Sequence, residues 1–213
     1  MTRSYLKAKL LDLVLMSPVV AWFCLGIFGS FQMISPSEGL LMNCSLVANI
    51  AFLGLIVFLM LVRLPSLRTE KGVGPKLAGV VGFLLPILIV TAPAAKLSPS
   101  MKDFSIGLVL VGTLISIAGI ISLGRCFSIL PQARALVTNG PYRLVRHPLY
   151  AGEILALIGI MFRYQQPTAL FLTLLSIAAQ LPRMYFEERV LEEAFPSYRD
   201  YAKRTARLIP GVY

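Results

Sequence analysis

The 213-residue chain has one histidine, three cysteines and few charges, with Asp, Glu, Lys and Arg at only 14% of positions. Each scarcity excludes something. Cys24, Cys44 and Cys126 show neither paired nor metal-ligand spacing, so neither a disulfide framework nor a zinc motif is encoded. A protein-ligated zinc site needs clustered Cys and His, and a single His147 with scattered cysteines does not supply it. No internal repeat or low-complexity tract is present. Acidic residues are also scarce, 10 against 20 basic ones, for a formal net charge of +10. A nucleic-acid partner would need those basic residues clustered on one soluble face. They fall instead between apolar runs, where membrane orientation and anionic headgroups account for them.

Hydrophobic residues make up 57% of the chain and the mean hydropathy is +0.78. Soluble domains sit nearer 45–50% apolar and about 25% charged, so the composition predicts an integral membrane protein. The fold class that follows is all-α, a polytopic helical bundle forming one membrane domain over 1–213. Residues 1–124 read as a four-span scaffold and 125–213 as the part that carries the polar groups.

Four long apolar runs define the expected spans. The first is Leu10 to Ile34, holding Asp12 and Pro18, and the second is Leu40 to Val62, holding Asn43 and Asn49 as interhelical glue. The third, Leu77 to Ala95, carries Pro86 and Pro93 as kinks. Lys96 to Asp103 then reads as a turn before the fourth, Phe104 to Gly124, whose Gly107, Gly112 and Gly119 allow close helix approach. Beyond residue 150 the apolar stretches shorten. Ala151 to Phe162 and Thr168 to Pro182, with the turn 163–167 between them, predict a tight hairpin. Each arm covers roughly 20 Å at 1.5 Å per residue, less than the ~30 Å hydrocarbon core. From Arg183 to Thr205 the pattern is charged and helical. Val190, Leu191, Ala194, Phe195 and Tyr198 form an apolar stripe, with Glu188, Arg189, Glu192 and Arg199 on the remaining surface. That predicts an amphipathic helix lying at the membrane interface.

Orientation follows from the basic residues. With both termini cytoplasmic, 17 of the 20 Lys and Arg fall on the cytoplasmic side, in Met1–Lys9, the Arg63–Lys76 loop, the stretch from Arg125 to Arg146 and the C-terminal region. Lys96, Lys102 and Arg163 lie opposite. The central segment, Leu136 to Glu153, and the cluster Arg183 to Glu188 then share one face.

Those two segments carry the candidate chemistry. Asn139-Gly140-Pro141 is a turn signal, and Pro148 disfavours a helical His147. Arg146 and His147 therefore sit on non-helical backbone at the membrane surface, whose N–H and C=O groups need partners that a ligand could provide. Tyr142 and Tyr150 offer faces for an aromatic or cationic ligand. Contacts of Arg143 and Arg146 with lipid phosphates are the competing reading. Arg183 and Glu187, spaced i and i+4, share one helix face and can either pair or grip one ligand together.

Gly140-Pro-Tyr-Arg-Leu-Val-Arg-His-Pro-Leu-Tyr-Ala-Gly152, followed by Glu187-Glu188-Arg-Val-Leu191, Phe195, Tyr198 and Tyr201, resembles the isoprenylcysteine carboxyl methyltransferase family and its phospholipid methyltransferase relatives. The likeness runs from about Gln132 to Pro210. It implies an enzyme that binds S-adenosyl-L-methionine at the cytoplasmic membrane surface and methylates a lipophilic acceptor from the bilayer. The cofactor-binding positions it implies are Gln132, Arg134, Ala135, Leu136, Val137, Tyr142, Arg146, His147, Pro148, Leu149, Tyr150, Glu187 and Glu188. Arg183 would face the acceptor, with Glu187 orienting it. Carboxyl O-methylation is the first expectation and phospholipid N-methylation the alternative. The C-terminal elements Gly152-Glu153, Phe195-Pro-Ser-Tyr198 and Leu208-Ile-Pro210 are also similar to membrane steroid 5α-reductases, which would use NADPH instead.

Overall fold

The computed structural model describes residues 3–69, 72–90, 92–164 and 166–211. Glu70 and Lys71 of the basic loop, Gln165 of the hairpin turn, and the side chains of Arg3, Lys7, Lys9, Asp12 and Lys76 lie outside the described residues. Seven helices account for most of the fold: α1 (Arg3–Gln32), α2 (Leu40–Val62), α3 (Val73–Ile89), α4 (Pro99–Leu123), α5 (Pro148–Met161), α6 (Thr168–Ala194) and α7 (Tyr198–Arg204).

Three of them, α2, α4 and α6, are long and apolar enough to cross a membrane. This differs from the expected four long spans plus a short hairpin. Helix α3 runs for 17 residues, less than the roughly 20 a spanning helix needs, whereas α1 is 30 residues long and its side chains are described only in part. The second hairpin arm is not short. Pro182 removes one helical hydrogen bond but does not end α6, which continues for 27 residues through Arg183, Glu187 and Glu188. Helices buried among neighbours tolerate such prolines because adjacent groups take up the freed backbone. The separate interfacial helix over 183–205 is accordingly absent. Its first half belongs to α6, the chain breaks at Phe195–Ser197 around Pro196, and α7 follows. The expected surface stripe turns inward, with Val190 and Tyr198 buried. Glu188, assigned to the outer surface, is only 12% exposed.

Glycine governs how closely α4 and α5 approach. A Cβ at Gly112 would lie 2.6 Å from the Ala156 amide nitrogen, and one at Gly159 would lie 2.8 Å from the Ser105 carbonyl oxygen. Ser105 Oγ donates to the Gly159 carbonyl at 2.7 Å, and Ser116 Oγ donates to that of Leu149 at 3.3 Å. Gly119 takes part through Leu149, whereas Gly107 meets nothing within 4 Å and serves no close contact. Because the obstructing atoms are backbone, they cannot swing aside. Gly152→Val, whose Cβ would sit 2.7 Å from the Ser116 amide nitrogen, is expected to lower stability by about 3 kcal/mol. Thermal unfolding in detergent would show it as a lowered midpoint.

Of the two asparagines expected between helices, Asn49 joins α2 to α1, whereas Asn43 holds the turn that precedes its own helix. Asn49 Nδ2 donates to Ser30 Oγ at 2.9 Å between α2 and α1, and Asn43 exchanges hydrogen bonds with the Ser35 backbone. The stretch expected as a turn at Lys96–Asp103 already starts α4, because Ser98 Oγ accepts from the Met101 amide and Pro99 fits the first helical position. One element has no helical counterpart in the sequence pattern. Strand β1 (Arg68–Thr69) pairs antiparallel with β2 (Gln132–Ala133), tying the basic loop to the chain just before the central segment.

Candidate functional site

The central segment folds as the turn signals require. Gly140 adopts φ +57°, a conformation open to glycine, and a Cβ there would come 2.7 Å from Ser122 Oγ. Residues Gly140–Arg143 form one 3-10 turn, and His147 is the non-helical residue preceding α5 with Pro148 in its first turn. The C-terminal tail then binds this segment. The Arg146 amide donates to the Ala206 carbonyl at 2.8 Å and the His147 amide to that of Arg207 at 3.0 Å. Tyr201 Oη donates to the Tyr142 carbonyl at 2.7 Å. Burial, with the Glu188 charge adding and Arg146 opposing, pushes the Tyr201 phenol up to about 12, so at neutral pH it keeps the proton it donates. Burial also raises the Tyr142 and Tyr198 phenols.

Between this segment and the helices lies a cavity of about 330 Å³, within the range of small-molecule sites. Its polar end is lined by Tyr142, Arg146, His147, Tyr150, Arg183 and Glu187. Gln132, Ala135, Leu136, Val137 and Leu149 complete that side. Phe23 of α1, Phe52 and Ile56 of α2, and Pro86 of α3 form an apolar wall. Among the described residues, the Ala135, Leu136 and Val137 amides donate no hydrogen bond. The three residues are half-buried and line the cavity, so their free amides are donors that a polar ligand can meet.

Three of the residues expected at a cofactor do not line the cavity. Arg134 is buried behind it, its Nη2 donating to Gln132 Oε1 at 2.6 Å, so it props a lining residue. Pro148 is packed in the first turn of α5. Glu188 is the centre of an ionic cluster. Arg207 grips it with Nε at 3.0 Å and Nη2 at 2.8 Å, Arg146 Nη1 lies 3.2 Å away, and His147 Nε2 donates to it at 2.9 Å.

Adjacent glutamates thus face different ways. Glu187 lines the cavity, accepts from Tyr150 Oη and lies 3.9 Å from His147 Nδ1. His147 bridges the two carboxylates. Arg183 is placed by neighbours the sequence pattern did not single out: its Nη1 donates to Gln180 Oε1 at 2.7 Å and stands 4.0 Å from Glu153 Oε2. Its guanidinium carbon lies 4.9 Å from the Tyr150 ring centroid, a cation–π contact. No ion pair joins Arg183 to Glu187 among the described residues; Gln180 and Glu153 hold the guanidinium instead. Glu153, Gln180, Tyr198, Tyr201 and Arg207 therefore join the candidate residues. Glu153 and Gln180 had a signal, a lone acid and a lone amide within apolar runs. Arg207 had none, because its role depends on where the tail folds back.

The fold and the cavity define a helical membrane protein with an internal site shared between apolar helices and a polar surface end. Comparison with known proteins shows what the chain is similar to. The phospholipid methyltransferase family matches residues 102–198. The chain is 32% identical over 133 residues to protein-S-isoprenylcysteine O-methyltransferase A of Arabidopsis thaliana, covering 58% of this chain and 66% of that one. Its paralogue B matches over 131 residues at 28% identity, with the same coverage. A third similar protein is the cobalt-zinc-cadmium resistance protein CzcN of Cupriavidus metallidurans, 37% identical over 78 residues and 36% of each chain. The chain spans between about a third and two thirds of the length of these relatives. Residues 102–198 thus match the phospholipid methyltransferase family, and the chain is similar to the isoprenylcysteine O-methyltransferases over a little more than half of its length.

Proposed function

We propose that this chain transfers a methyl group from S-adenosyl-L-methionine to a lipophilic acceptor, with carboxyl O-methylation as the reaction the cavity suits best. The observation that carries this reading is one cavity with three kinds of wall: the 132–150 segment, the buried cation Arg183, and apolar faces of α1, α2 and α3.

The residues fit the methyl donor. Unpartnered amides at 135–137 suit its polar ends, and the Tyr142 and Tyr150 rings suit its planar base. Glu187 suits its positive charge. When bound, the donor supplies a methyl group on a positively charged sulfur. The protein must position the acceptor in line with that methyl and exclude water. Arg183 does the first for a carboxylate: Nη1 is taken by Gln180, while Nε is buried and has no hydrogen-bond partner. A carboxylate is already ionised at neutral pH, so it needs orientation and charge complementarity but no base. The aromatic and aliphatic walls hold the acceptor's lipid chain and keep the site dry.

Phospholipid N-methylation has an observation of its own in favour. An amine acceptor must lose a proton, and two carboxylates, Glu153 and Glu187, face the cavity. The proposed orientation puts the polar end on the cytoplasmic side, in keeping with the 17 of 20 Lys and Arg assigned there. Membranes carrying the protein are incubated with methyl-labelled S-adenosyl-L-methionine. Label released as methanol by mild base is the expected result. Base-stable lipid label indicates N-methylation, and no donor-dependent label overturns both.

A further inference from the structure

Arg183 is fixed more completely than a cation that only fills space. Gln180, 1% exposed, accepts from Nη1 through Oε1 at 2.7 Å and donates through Nε2 to Glu153 Oε2 at 3.2 Å. One buried amide thus links a carboxylate to a guanidinium, using both ends of its own dipole. The Tyr150 ring supports one face of the group. On α3, Gly82 leaves the space that the arginine stem occupies, since a Cβ there would run into Arg183 Cδ. Nε remains buried and unpartnered. Leaving a charged group's donor unsatisfied costs free energy, and a rigid guanidinium offers its donors in a fixed plane.

We infer that Gln180 and Glu153 are positioning residues that hold the Arg183 guanidinium so that its Nε side receives one planar carboxylate, making α3, α5 and α6 together an acceptor subsite selective for the acid over its ester. The inference rests on the methyl-transfer reading for its biological sense, but the subsite is defined by binding alone. Selectivity for acid over ester fits a transferase that releases its product. The ester carries no charge for Arg183 to hold, and its added methyl occupies the donor side. Glu153 acts here through hydrogen bonding to Gln180 and not as a proton acceptor.

The test uses the full-length protein in nanodiscs and two probes, N-acetyl-S-isoprenylcysteine and its methyl ester. Equilibrium binding is measured for wild type, Gln180→Leu, Glu153→Leu and Glu153→Gln. Wild type is expected to bind the acid at least ten-fold more tightly than the ester. Gln180→Leu and Glu153→Leu reduce that ratio to near one, and Glu153→Gln, which still accepts from Gln180, retains it within about three-fold. Affinity for S-adenosyl-L-methionine stays within two-fold in all variants, and thermal unfolding in the nanodiscs reports separately that they are folded. Equal wild-type binding of acid and ester overturns the inference, as does loss of donor affinity in the folded leucine variants. Glu153→Gln behaving like Glu153→Leu overturns it too, because charge would then matter and the hydrogen bond would not. If the acid preference is found but wild type transfers no methyl group, the subsite stands and the methyl-transfer reading falls.

Discussion

Glu188→Ala is expected to destabilise the protein by about 3–5 kcal/mol, the range for removing one partner of a buried ionic cluster. Its carboxylate is met by Arg207 at two points, by Arg146 and by His147, all within 3.2 Å. The Arg146 and His147 side chains are 17% and 5% exposed, so water cannot replace the lost partner without opening the structure. Two guanidinium groups would then face each other across the vacated site, adding repulsion to desolvation. Glu188→Gln keeps the shape and one acceptor oxygen but loses the charge, and should lie between wild type and alanine. The effect on donor binding is expected to be equally large although Glu188 does not line the cavity, since the same cluster orients Arg146 and His147, which do. Glu187→Gln provides the contrast: a modest stability change with a strong loss of donor affinity. Chemical unfolding in detergent together with labelled-donor binding measures both. If Glu188→Ala and Glu187→Gln gave the same pattern in the two assays, the division between a structural and a cavity-facing glutamate would fail.

That division marks where sequence reasoning ran short. The pair Glu187-Glu188 is visible in the sequence, as is its relation to Arg146 and His147 through the family resemblance. Which carboxylate faces inward depends on the rotation of α6, and that is set by packing partners such as Val190 and Met184 far from either residue in function. Helix existence was legible in the apolar runs, and the turn of the central segment in Asn139-Gly140-Pro141 and Pro148. Helix ends were less so. Pro182 reads as a stop signal in isolation, yet it lies inside a packed helix, and the charges that follow continue it. Arg207 and β1 were illegible for another reason. Neither has a local pattern, and each gains meaning only when a distant segment is brought against it, the tail against Arg146–His147 and the loop against Gln132–Ala133. Non-local pairing of short, irregular segments leaves no periodicity to read.

Arg183→Lys should abolish most methyl transfer while leaving donor binding and folding nearly intact. Lysine keeps the positive charge, so Glu153 and the Tyr150 ring retain a cationic neighbour. What it loses is the fixed plane of donors. An ammonium can hydrogen bond to Gln180 or to the acceptor but cannot hold one on Nη1 while presenting Nε to the other. A lost charge-assisted pair in a desolvated site corresponds to about 2–5 kcal/mol, so catalytic efficiency toward a carboxylate acceptor should fall by a factor of roughly 30 to several thousand, at 1.36 kcal/mol per decade. Arg183→Ala should be worse on two counts, since Glu153 is left buried with only Gln180 beside it. Steady-state kinetics with varied acceptor, alongside donor affinity for each variant, separates these effects. Should Arg183→Lys keep full activity, charge alone would suffice and the side-on geometry of Arg183 would have no part in the reaction. Should it lose donor affinity in proportion to activity, Arg183 would belong to the donor end of the cavity, and the acceptor would have to be placed against Glu153 and the apolar wall without it.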